Sequence, residues 1–93
     1  MINKFYLGQT VWYTITDFED FQIKSGTVVK IERGSVAPFY ELDNGTTVIE
    51  ARGYATEDEA IDDVVRWCKA RIGRLQEALA RAEQLRLQAQ AKQ

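Results

Sequence analysis

Apolar residues come in short alternating runs over the first half of the chain and recur every third or fourth position over the second. That change of period predicts strands first and a helix afterwards. Val11-Trp12-Tyr13-Thr14-Ile15-Thr16 is rich in β-branched and aromatic residues and reads as a strand. The charged stretch Asp17 to Gln22 interrupts it as a loop, and Ile23 to Arg33 carries a second strand around Thr27-Val28-Val29-Lys30-Ile31. Gly34 to Pro38 is a loop, Phe39-Tyr40-Glu41-Leu42 a short strand, and Thr46 to Glu50 its return. Asn44-Gly45 between them predicts a two-residue type I′ hairpin turn, in which both central residues take positive φ.

Short strands and close turns within residues 1–55 point to a small antiparallel β-barrel of the SH3-like kind. Alternation places Val11, Tyr13 and Ile15 on one face of the first strand. The expected core is Val11, Ile15, Val29, Ile31, Leu42 and Ile49.

Residues 56–93 predict one long helix, so the class is α+β. Thr56-Glu57-Asp58-Glu59 is a capping box, and no proline follows it. Such a helix is roughly 50 Å long, about twice the width of a small barrel, so its far half overhangs. Ala60, Ile61, Val64, Val65, Trp67 and Cys68 form a wide docking face. The series Ile61, Val65, Cys68, Ile72, Leu75, Leu79, Ala82 steps by four and three, as in a coiled-coil seam. Arg86 then occupies a seam position, and fraying is expected beyond about Leu87. The reading is a helix whose first turns dock and whose second half, at Ile72, Leu75, Leu79 and Ala82, pairs with a second copy in a homodimer. The alternative is a monomeric clasp. Gly73 marks either a close approach of another backbone or a slight bend.

Four segments in order carry a resemblance. Gly8-Gln9-Thr10-Val11-Trp12-Tyr13, Ser25-Gly26-Thr27-Val28-Val29-Lys30-Ile31, Tyr40-Glu41-Leu42-Asp43-Asn44-Gly45 and Tyr54-Ala55-Thr56-Glu57-Asp58-Glu59-Ala60 resemble a broad group of small phage and prophage proteins. These pair an SH3-like (KOW- or Tudor-like) barrel with a C-terminal helix. The resemblance implies that fold and a place in a host cytoplasm, and very little about function.

Composition narrows the chemistry. Ninety-three residues make one domain, and no apolar run is long enough to span a membrane or to serve as a signal peptide. Cys68 is the single cysteine, which fits a reducing compartment. With no histidine and one cysteine, a zinc site of the Cys/His type within one chain and a Cys-His or Ser-His pair are excluded, and no phosphate-binding glycine loop occurs. The expectation is a non-catalytic protein without cofactor or metal.

Thr16-Asp17-Phe18-Glu19-Asp20-Phe21-Gln22 mixes acids with two phenylalanines and is the leading partner-binding segment, joined by Trp12, Tyr40 and Tyr54 in a candidate aromatic groove. The blander reading has Phe18 and Phe21 plugging a barrel end and Trp12 meeting Trp67 under the helix. Acids at Glu57 to Asp63 suit a helix start, with bases following. Arg66, Lys69, Arg74 and Arg81 are the candidate anion contacts. Two functions result. The first is a protein-binding homodimer that, if phage-encoded, modulates or inhibits a host or defence-system protein, or grips a nucleotide-like signal between protomers through arginines. The second is a nucleic-acid binder using the barrel and the basic helix face, against which the net charge of −2 argues.

Overall fold

The computed structural model describes residues 3–18 and 20–91. Glu19 in the expected binding loop, and Lys92 and Gln93 at the end of the expected helix, lie outside these residues. The elements are β1 (Thr10–Asp17), β2 (Asp20–Glu32), β3 (Phe39–Leu42), β4 (Thr47–Ile49), a 3-10 turn (Glu50–Arg52), β5 (Gly53–Tyr54) and α1 (Glu57–Ala91). The five strands form one antiparallel sheet in the order β4-β3-β2-β1-β5. β4 and β5 are consecutive in the chain yet lie at opposite edges, joined by the 3-10 turn. The sheet therefore curls on itself. It does not close, because among the described residues no ladder joins β4 to β5.

β2 runs for 13 residues and serves both halves of the sheet, pairing with β1 up to Thr27 and with β3 from Val28 onward. Gly26 sits just before this handover. A Cβ there would stand 2.9 Å from the Leu42 Cβ, so only glycine lets β2 pass this close to β3. The concave face holds the core: Phe5, Val11, Tyr13, Val28, Tyr40, Leu42 and Val48, with Ile31 packed against it. Each of these aliphatic or aromatic side chains contributes on the order of 1.5–3 kcal/mol by leaving water. Phe5, ahead of the first strand, meets Tyr40 edge-on at 5.0 Å between ring centres.

Three expected core residues are not in the core, and two of them fail for one physical reason. Val29 and Ile49 are exposed, while their neighbours Val28 and Val48 are buried. In β2 a bulge intervenes: Val28 faces Leu42, but Lys30 faces Glu41, so Val29 is an extra residue and the alternation reverses across it. In the β3–β4 hairpin the loop has three residues, not two. Gly45 donates to the Leu42 carbonyl and Leu42 to that of Thr46, with positive φ at Gly45 but not at Asn44. A type I′ turn would have set Ile49 opposite Tyr40, whereas the observed register sets Val48 there. A slip of one residue exchanges the faces. Ile15 does lie on the core face, but beyond the rim of the packed cluster, and is exposed. The charged stretch after Thr16 is also not a loop, since β1 and β2 stay paired out to Asp17 opposite Asp20.

The helix packs on the convex face of β1, β2 and β5. Thr56 caps it, its hydroxyl accepting from the Glu59 amide at 3.2 Å. The reciprocal bond from the Glu59 side chain is not formed, so half of the capping box is present. Ala60 and Val64 are buried, Trp67, Cys68 and Arg71 are half-buried, and Thr14 Oγ1 donates to Asp63 Oδ2 at 3.0 Å. Docking ends near Arg71. About 30 Å of helix then projects beyond the sheet, giving dimensions of 67 × 26 × 20 Å and a radius of gyration of 19.9 Å. A compact chain of this length would have about 12 Å. The helix is continuous as far as Ala91.

Candidate protein-binding surfaces

Three surfaces emerge from this frame: the tip of the β1–β2 hairpin, the uncovered side of α1, and the gap where the sheet fails to close. At the tip, Phe18 is 82% exposed and holds φ at +32°, in the left-handed region that suits glycine. For a bulky residue this costs about 1 kcal/mol or more. Phe18 is therefore not a plug for a barrel end, and Phe21 is exposed as well. Asp17 and Asp20 sit opposite each other at the end of the ladder, and Asp20 Oδ1 accepts from the Phe21 amide at 2.8 Å.

The expected aromatic groove does not assemble. Tyr40 has no exposure at all: it is a core residue whose hydroxyl donates to Glu50 at 2.6 Å. Trp12 and Tyr54 are cross-strand neighbours on the convex face, near the start of the helix. Burial raises the Tyr54 hydroxyl above the ordinary phenol range, with the Asp63 carboxylate beside it as the second cause. The Lys4 ammonium lies 5.6 Å from the Tyr54 ring centre. Phe21 belongs to the same convex face but pairs with Thr16, about 13 Å along β1 from Trp12. Trp12 and Trp67 are both half-buried and do not stack, and Trp67 is instead covered by the Arg71 guanidinium at 5.7 Å.

On α1, Ile61, Val65, Ile72, Leu75 and Leu79 are all exposed. The stripe that docks (Ala60, Val64, Trp67, Arg71) runs beside the heptad seam and not along it, because consecutive residues project about 100° apart. Leu75, at 62% exposed, and its neighbours Ile72, Leu79 and Ala82 form an exposed row past the docked turns. The candidate anion contacts are less uniform than their charges imply. Arg66 pairs with Asp63 at 3.6 Å. Glu77 follows Arg74 by three positions and precedes Arg81 by four, which places an acid between them on one face. Lys69 projects away from that face.

The gap in the sheet forms a groove of about 310 Å³ lined by Tyr13, Ile15, Lys24, Thr47, Ile49 and Arg52 among others. A wider recess of about 690 Å³ beside the β2–β3 loop is lined by both Glu32 and Arg33, so its charge is mixed. Sequence reading missed the groove because Arg52 comes from the 3-10 turn and Lys24 from mid-strand. Among the described residues no group of three His, Cys, Asp or Glu side chains is placed to hold a metal ion, and no helix is long and apolar enough to cross a membrane. No family model matches the chain, and neither a curated protein nor a solved structure matches it.

Proposed function

We propose that this protein is a non-catalytic protein-binding module that works as a homodimer. The observation that carries the reading is the uncovered heptad row Ile72, Leu75, Leu79 on a helix that outruns its own sheet. A helical segment of this length, alone in water, gains little from propensity and is stabilised mainly by packing its apolar face. A second copy offers the same stripe and satisfies both helices through one twofold axis. The curled five-strand meander, with its edge strands joined by a 3-10 turn, supports an SH3-like barrel as the body of each protomer. Phe18, held in a strained backbone at the hairpin tip, is then the anchor presented to a partner protein, flanked by Asp17 and Asp20. A dimer presents two such tips, and this raises effective affinity for a repeated or dimeric target. The sequence resemblance implies a phage origin and very little about function, and it enters no step of this reading.

The test is capture from a nuclease-treated bacterial lysate with tagged wild type and with Phe18→Ala. The reading expects a stoichiometric protein that is retained through nuclease treatment and lost with Phe18→Ala. Recovery of nucleic acid, with every co-purifying protein lost on nuclease treatment, contradicts it.

A further inference from the structure

We infer that the open seam of the sheet binds an extended, acid-bearing peptide of a partner protein, which adds as a strand to the free edge of β1. The inference rests on the protein-binding reading above and names where and how the partner is held.

β5 covers the outer edge of β1 only at Trp12 and Tyr13. Next to this point the chain is coiled into the 3-10 turn Glu50–Arg52, so the ladder position opposite Thr14 and beyond is vacant. β1 nevertheless continues to Asp17, paired only with β2. Alternate residues of that stretch turn their N–H and C=O groups outward with no strand to meet them. β4 faces the gap from the other side and pairs only with β3. The groove thus lies between two unpaired strand edges, which is the arrangement that accepts an added strand.

Its lining selects the occupant. Ile15 and Ile49 offer exposed apolar surface to alternate side chains of a peptide. Lys24 and Arg52 are the only charged residues of the lining, and among the described residues neither makes a salt bridge. A carboxylate on the peptide complements both cations. Asp17 and Asp20 come one step past Ile15 and Gln22 on the same face, so the acid belongs at the Arg52 end of the peptide and not at the tip. A peptide lying along this edge leads directly to Phe18.

The experiment pans a random dodecapeptide display library on the full chain. Recovered peptides are made synthetically and measured by fluorescence anisotropy and by amide hydrogen exchange of the protein. The expected peptides carry Asp or Glu within alternating β-branched residues. They bind a Lys24→Glu, Arg52→Glu variant at least about tenfold more weakly at an unchanged melting temperature, and they slow exchange at Thr14 to Asp17. Panning without enrichment overturns the inference, as do peptides indifferent to the charge reversal or peptides that protect α1 instead. Peptides indifferent to charge reversal but lost with Phe18→Ala overturn the groove and leave the module reading standing. No enrichment from a protein that is also monomeric overturns both.

Discussion

The Tyr40 hydroxyl donates to a Glu50 carboxylate oxygen at 2.6 Å from a ring that has no exposure to solvent. The same oxygen accepts from the Lys4 amide at 3.2 Å. One carboxylate therefore ties the N-terminal segment, β3 and the 3-10 turn together around the Phe5–Tyr40 contact. The Tyr40 bond, then the Lys4 amide, hold the Glu50 carboxyl below the usual carboxylate range. Its contribution is present above the unfolded-state value and is lost as pH falls through the lowered folded value. Tyr40→Phe should cost about 1–2 kcal/mol near neutral pH. Melts followed by circular dichroism should show the gap between variant and wild type closing as the solution is acidified. A gap that stays constant down to strong acid would mean that Glu50 is not the partner. Tyr40 itself is pushed above the usual phenol range by burial first and by Glu50 second, so its contribution holds below that range and fades as pH rises past it.

The bulge at Val29 predicts opposite outcomes for two adjacent valines. Val28→Ala empties core volume beside Leu42 and should destabilise by about 2 kcal/mol. Val29→Ala, at a side chain 54% exposed, should stay within about 0.5 kcal/mol of wild type. Urea unfolding of the two variants reads this directly. The reverse ranking would restore the unbroken alternation that the local sequence proposes.

Apart from its own helix backbone and chain neighbours, Gly73 has no atom within 4 Å of the place a Cβ would take, so no packing within the protomer requires glycine. It also projects well away from the Ile72–Leu75–Leu79 seam. Gly73→Ala should therefore stabilise the helix by about 1 kcal/mol, seen as a melting temperature higher by several degrees. A lower melting temperature would reveal a backbone from a second copy lying against this position.

The sequence made the helix legible because its signals are local: a threonine cap, acids in the first turn and no proline from Glu57 to Ala91. The strands were legible from their β-branched runs, but their faces were not. Two single-residue insertions, the bulge at Val29 and the third residue of the Asp43-Asn44-Gly45 loop, each reversed an alternation. The loop takes its length from bonds that no local rule anticipates. Asn44 accepts from the Thr46 amide and donates to the Tyr13 hydroxyl, while Asp43 accepts from the Thr27 amide. One miss was avoidable, because Tyr40 precedes Leu42 by two positions and must share its inward face. Phe5 stands outside any periodic run, so its burial depends wholly on tertiary packing. The open seam follows from where β5 stops, which the two residues Gly53 and Tyr54 do not announce.

The central claim is pairing through the helix, and size-exclusion chromatography with multi-angle light scattering tests it most directly. Wild type at tens of micromolar should elute at twice the 10.6 kDa of one chain. A Leu75→Glu, Leu79→Glu variant should elute at that single mass with its sheet domain folded, since both positions are exposed within the protomer, and with helical signal lost only from the unpaired overhang. A wild-type protein of single-chain mass at that concentration would contradict the account.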